Sequence, residues 1–176
     1  MSPSPEDPKP PPWGELRKTF AGSFAAHARG LLVSDFVLLD RWGREVGSLR
    51  VLEREGAQFE AGGLRAEIQR SIPRRYTMIS DGLEVLCAES AVSPAIVELG
   101  CEGRTYAASL SLLRNTAEAS QEGMGQTTVS ITGGLTNRRY EAVFDAGDDC
   151  ALPVAVFLLF RLVALRRGAY RAGGPN

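Results

Sequence analysis

Residues 148–170 read DDCALPVAVFLLFRLVALRRGAY. Between Ala151 and Leu165 the only charge is Arg161. A helix with no polar face must be surrounded by apolar material, which leaves two environments, a bilayer or the protein's own interior. Length argues against the bilayer: residues 150–165, at about 1.5 Å each, reach about 24 Å, against a hydrocarbon core of about 30 Å. A central arginine adds a cost of about 2.5 to 3.5 kcal/mol on insertion scales. Arg166, Arg167 and Arg171 would still make a positive-inside flank. A protein anchored by a C-terminal span at 150–165 is therefore the alternative reading. The ends read as helix ends in either case. Asp148 and Asp149 suit the N-terminal dipole and Pro153 suits the first turn. Arg166, Arg167 and Gly168 suit the stop.

Upstream, from Phe20 to Gly147, the pattern is short apolar-alternating runs broken by glycine-containing turns. Phe36–Asp40 and Arg44–Val51 read as strands joined by a turn at Gly43. Asp81-Gly82, between Tyr76–Ile79 and Leu83–Cys87, is the strongest short hairpin signal. Ala95–Leu99 and Tyr106–Leu112 flank a turn at 100–103, and Thr127–Thr132 and Arg139–Asp145 flank Gly133-Gly134. Leu64, Ala66 and Ile68 share one face, opposite Arg65, Glu67 and Gln69. Short helical stretches at His27–Leu32 or Thr116–Glu122 are the only rivals. At about 10 to 11 residues per strand and turn, this interval holds roughly twelve strands. Short connections make neighbours antiparallel.

A barrel of about eight strands fills itself with side chains, whereas one of eleven or more needs something inside, and a helix can serve. The two halves of the sequence therefore answer each other. The expected fold is mainly β: a roughly twelve-stranded antiparallel β-barrel enclosing a hydrophobic C-terminal α-helix.

The whole chain has 176 residues, enough for one domain with a real core. It is 44% hydrophobic and 23% charged, with a net charge of -1. Any affinity for nucleic acid or an anionic membrane would have to come from a local patch. Residues 3–12 contain six prolines, a density that supports neither helix nor sheet. Residues 1–19 are expected to be a proline-rich disordered tail, 20–170 the barrel with its helix at about 150–167, and 171–176 a flexible C-terminus. The N-terminus lacks a charged start followed by an apolar stretch, so a cytoplasmic protein is expected. Cys87, Cys101 and Cys150 are widely spaced with no CxxC, and read as mostly buried thiols.

Catalytic motifs are hard to find. His27 is the only histidine, so a hydrolase triad would have to be built on it. There is no GxSxG, P-loop, GxGxxG or HExxH. No catalytic residue, metal site or cofactor is expected, and Asp145, Asp148 and Asp149 read as helix-capping acids. Two basic doublets echo each other: Arg74-Arg75-Tyr76 and Arg138-Arg139-Tyr140 each end a loop and open a strand. A guanidinium presents a planar fork to phosphate oxygens, and a tyrosine offers a hydrogen bond or an interfacial ring. If the doublets converge, they could hold an anionic headgroup.

The layout resembles the tubby C-terminal-like fold, shared by tubby domains, LURP-one-related proteins and phospholipid scramblases. The resemblance rests on Asp40-Arg41-Trp42-Gly43-Arg44-Glu45-Val46-Gly47, on Arg138-Arg139-Tyr140-Glu141-Ala142-Val143, and on Asp148 or Asp149 followed by the run Ala151–Leu165. It covers roughly Phe20–Tyr170. It implies a twelve-stranded barrel closed around its helix, and a binding or scaffold domain, some relatives of which hold phosphoinositides or other membrane lipids. The calcium-loop pattern of spaced acids around a glycine is absent, a departure from calcium-dependent scrambling. The expected function is a non-enzymatic, monomeric module with an anionic lipid or membrane surface as partner and no nucleic acid. The alternatives are the C-terminally anchored protein and an uncharacterised hydrolase.

Overall fold

The computed structural model describes residues 12–31, 34–53 and 55–172. Twelve strands follow a short helix, α1 (Pro12–Phe20): β1 (Ser23–Ala28), β2 (Asp35–Leu39), β3 (Glu45–Val51), β4 (Ala57–Ala61), β5 (Leu64–Ile72), β6 (Arg75–Ser80), β7 (Leu83–Ser90), β8 (Ile96–Cys101), β9 (Arg104–Ser111), β10 (Thr116–Gln121), β11 (Thr127–Gly133) and β12 (Arg139–Phe144). A second helix, α2 (Ala151–Ala172), ends the chain. Each strand pairs antiparallel with its sequence neighbours, and β1 pairs with β12 to close the barrel. The register across that seam runs from Ser23↔Val143 to His27↔Arg139.

Period-2 alternation decides which side chains face the lumen. Phe36 and Leu38, Leu64, Ala66 and Ile68, and Val97 and Leu99 are all buried, while the residues between them face out. Many inward positions carry alanine, including Ala57, Ala61, Ala66, Ala108, Ala117, Ala119 and Ala142. Small residues on the wall leave room for a helix on the axis. Every residue from Cys150 to Val163 is buried. Tyr76, Phe157 and Phe160 make a mutual edge-to-face cluster with ring centroids 5.8 to 5.9 Å apart. The helix is core, wrapped by the chain's own strands. No helix among the described residues is long and apolar enough to cross a membrane, which removes the anchor at 150–165.

Turn chemistry sets the hairpins. Asp81 and Gly82 have φ of 50° and 75°, the positive pair a two-residue primed turn requires. Gly47 is needed for a different reason: a Cβ there would lie 2.3 Å from the Glu60 carbonyl oxygen where β3 meets β4. Buried Asp40 accepts the Trp42 and Arg44 N–H groups and the Arg44 Nε–H, fixing the β2–β3 turn.

Four expectations need correction. Residues 12–19 are not tail: the proline density ends at Pro12, which is tolerated at a helix N-terminus, and α1 begins there. Leu16 and Phe20 are buried, Trp13 stacks on Phe59 at 5.4 Å, and Arg17 pairs with Asp149. Residues 1–11 lie outside the described residues. Neither short helical candidate is a helix among the described residues: Thr116–Glu122 is strand β10, because alternation with Ala117 and Ala119 inward outweighs local propensity, while His27 and Ala28 end β1 and 29–31 lie in the β1–β2 connection, Leu32 being outside the described residues. The helix begins at Ala151 and runs to Ala172, past the expected end near 167. Cys87 is exposed, since it falls between inward Leu86 and Ala88 on β7. Cys101 and Cys150 are buried, with the Cys150 thiol donating to the Cys101 carbonyl at 3.2 Å.

Two tests follow from the core. Phe157→Ala is expected to lower stability by about 3–5 kcal/mol, measured by urea unfolding, because the closed wall cannot collapse onto the cavity. The second concerns α1. The hydrogen bond and charge of Arg17 hold the Asp149 carboxyl below its ordinary value of 3.8. A carboxylate depressed in the folded state stabilises that state above its unfolded pKa and loses the contribution as pH falls through the folded one. Acidification below 3.8 should therefore loosen α1 and red-shift Trp13 emission in the native protein more than in Asp149→Asn. Identical profiles would show the pair to be idle.

Candidate functional site

In an up-and-down barrel, successive connections alternate between the two ends. The β1–β2, β3–β4, β5–β6, β7–β8, β9–β10 and β11–β12 connections share one end, which is also where α2 emerges after entering from the other. Burial along α2 marks the exit. Val163 is the last fully buried residue, Ala164 to Arg167 are half-buried, and Gly168 and Ala169 are exposed.

Both basic doublets lie at this exit end. They do not converge, because four strands separate them in either direction around the ring. Arg74, in the left-handed region at φ 69°, is exposed in the β5–β6 turn. Arg75 opens β6 and pairs with Glu89 at 3.0 Å. Arg138 donates from Nη2 to the Gly30 carbonyl at 2.7 Å, and Arg139 is exposed at the start of β12. The tyrosines turn the other way. Tyr76 and Tyr140 are each 1% exposed, since one residue after an outward arginine is an inward position. The expectation that they offer interfacial rings to a headgroup is corrected: both belong to the core.

The helix is laced to this end by arginines. Arg166 donates to the Leu112 carbonyl and the Asn137 side-chain oxygen, joining the β9–β10 and β11–β12 connections. Arg167 donates to the Val51 carbonyl at 3.2 Å. Arg161, one turn below the mouth and 4% exposed, lies 4.9 Å from the Tyr76 ring centroid and 4.0 Å from Glu55 Oε1. Glu55 also accepts from Arg70 at 2.7 Å and the Tyr76 hydroxyl at 2.9 Å. Burial pushes the Tyr76 phenol pKa up, and the Glu55 carboxylate adds to that while Arg161 opposes it. Arg161 and Glu55 were not among the sequence-derived candidates. The signal was there in the lone charge of the apolar run, but its partner sits more than a hundred residues away.

The charge pattern separates the two ends. Arg74, Arg114, Arg138, Arg139, Arg166 and Arg167 have no carboxylate partner among the described residues. Several acids near this end are already matched: Asp35 by Arg50, Glu55 by Arg70 and Glu89 by Arg75. At the far end the excess is acidic, with Asp81, Glu84, Glu102, Glu122 and Asp145 exposed and making no ion pair. Asp148 is consumed there as a cap, accepting from Cys150 N–H, the Tyr106 hydroxyl and Arg104 at 2.8 to 2.9 Å. A groove of about 460 Å³ on the outer wall is lined by Arg29, Arg50 and Arg65. Each of those is paired with an acid, so the groove has no net pull on an anion. His27, half-buried on β1, has Val37 and Arg139 as cross-strand neighbours, and no nucleophile or acid hydrogen-bonds its ring among the described residues.

No family model and no curated protein sequence matches the chain. The fold does have a counterpart. It is similar to the X-ray structure of a protein from Arabidopsis thaliana, AT5G01750, with a TM-score of 0.55. The match covers 88% of this chain and 96% of that one at 11% identity. Likeness at that identity carries the barrel and nothing of its chemistry.

The Glu55 cluster has a direct test. Tyr76→Phe should cost about 1 kcal/mol, the usual net worth of a hydrogen bond. Glu55→Gln should cost more, about 2 kcal/mol, between exposed and buried ion pairs, because it leaves the Arg161 charge unanswered. Urea unfolding of both variants checks the order, and a neutral Glu55→Gln would mean that Arg161 is satisfied without it.

Proposed function

We propose that this chain is a tubby-like domain, akin to the LURP-one-related and scramblase-like proteins, that works as a non-enzymatic binding or scaffold module. Its ligand on this reading is the anionic phospholipid headgroup layer of a membrane, met from the cytoplasmic side by a peripheral protein. The twelve-stranded closure around a central helix supports the superfamily. The observation that carries the lipid reading is the separation of charge among the described residues: unpaired guanidiniums at the helix-exit end, and at the other unpaired carboxylates that outnumber its one unpaired arginine, Arg41, on a chain whose net charge is only -1. A near-neutral protein with such an axis is oriented by an anionic surface without being attracted to polyanions in general.

The geometry favours a surface over a pocket. Arginines on opposite walls of a wide barrel cannot grip one headgroup, but a plane of headgroups meets all of them at once. Each basic side chain near an anionic leaflet contributes about 1 kcal/mol, falling off within a Debye length.

Sedimentation with phosphatidylcholine vesicles, with and without phosphatidylserine, tests the reading. Binding is expected only to the anionic vesicles and should weaken with added salt. Replacing Arg74, Arg114 and Arg139 together by Gln should reduce it on the order of 100-fold. Equal binding to both vesicle types, or none to either, would remove the lipid ligand.

A further inference from the structure

The same end carries a second pattern. Each of its six connections, counting the strand residue at its edge, presents at least one large apolar side chain to water among the described residues: Leu31, Leu52, Ile72, Val92 with Ile96, Leu113 and Leu135. Leu31, Leu113 and Leu135 are 96 to 97% exposed, and Val92 is 85% exposed. Isolated exposed leucines are ordinary on a protein surface. A complete ring of them at one end is not, and the far end has no such ring. Its β4–β5 and β8–β9 turns are Gly62-Gly63 and Glu102-Gly103. Three other far-end connections do expose an apolar side chain, Trp42, Leu83 and Met124, and the guanidiniums of Arg41 and Arg44 lie 4.4 and 4.9 Å from the Trp42 ring centroid.

At three of the six exit-end connections an apolar tip is followed along the chain by an unpaired arginine. Leu113 is followed by Arg114, Ile72 by Arg74 within the same turn, and Leu135 by Arg138 and Arg139. An apolar tip beside a long cationic side chain suits the lipid interface, where the tip enters the acyl boundary while the guanidinium stays level with the phosphates. An aqueous anion would use the arginines and gain nothing from the leucines.

We infer that the exposed apolar tips of this end insert into a bilayer, and that the barrel stands end-on to an anionic membrane with the exit of α2 facing the lipid. This rests on the reading of that end as a lipid-binding surface and adds depth and orientation to it. The C-terminal turns of α2 are then held at the membrane. Helix α1 and the acidic connections point away, open to solvent or to other proteins.

The test uses the full chain carrying Leu113→Trp or Leu135→Trp, with Leu83→Trp at the far end as the control. Vesicles of phosphatidylcholine and phosphatidylserine, brominated on the acyl chains, are titrated in. The two exit-end tryptophans should shift to the blue and be quenched, over the constant background of far-end Trp13 and Trp42, while the control should do neither. Leu113→Ser with Leu135→Ser should weaken sedimentation about tenfold per residue and leave the melting curve unchanged. Native-strength binding by that double variant, with unquenched tryptophans, would overturn insertion and leave the electrostatic surface standing. Failure of the unaltered chain to sediment with anionic vesicles would remove both. Quenching of Leu83→Trp instead would reverse the orientation and overturn the inference.

Discussion

The structure depends on keeping α2 dry. A helix apolar on all sides cannot lie on a surface, so the wall has to surround it, and the wall must be wide enough to do so. Strand number, alanine-lined lumen and closure of β1 on β12 are consequences of that demand. Closure also removes the free strand edges that would otherwise template pairing between copies. The aromatic contacts of Tyr76, Phe157 and Phe160 show the fit is specific, with wall and axis meeting ring to ring.

The two mouths of the barrel are closed by different means. At the entry, α1 lies across the opening, with Leu16 and Phe20 buried and Arg17 paired to Asp149 beside the start of α2. At the exit no other element among the described residues lies across the opening; the helix itself passes through, bonded to the rim by Arg166 and Arg167. Arg161 sits at the boundary between these regimes. One turn deeper it would be a charge among hydrocarbon; where it is, Glu55 and the face of Tyr76 meet it. The single charge in the apolar run thus marks how far the dry interior reaches, with the Glu55 carboxylate and the Tyr76 ring of the wall beside it.

Much of this was legible in the residues. Hairpins with strong turn chemistry, such as Asp81-Gly82, announced themselves, and the apolar run fixed the helix and therefore the barrel. What stayed hidden has physical reasons. Strand β10 reads TAEASQ, which lacks β-branched residues beyond its first, so only its position between β9 and β11 makes it a strand. Helix α1 follows directly on a proline run, and its helicity depends on burying Leu16 and Phe20 under the barrel mouth. The doublets were visible as motifs, but alternation split each of them. The arginines went to the surface and the tyrosines to the core.

Parity resolves the remaining question about the doublets. With short connections, the fifth and eleventh links of a meander must lie at the same end, whatever the sequence between them. Position around a closed ring of twelve is equally forced, and it sets those two links on opposite walls. Topology alone therefore brings Arg74 and Arg139 to one end and forbids them to share a small ligand. Whatever uses both must be broad and flat. On the proposed lipid reading, the charge axis through a near-neutral molecule suits an extended anionic plane, and the apolar tips around the same rim suit a plane with hydrocarbon beneath it.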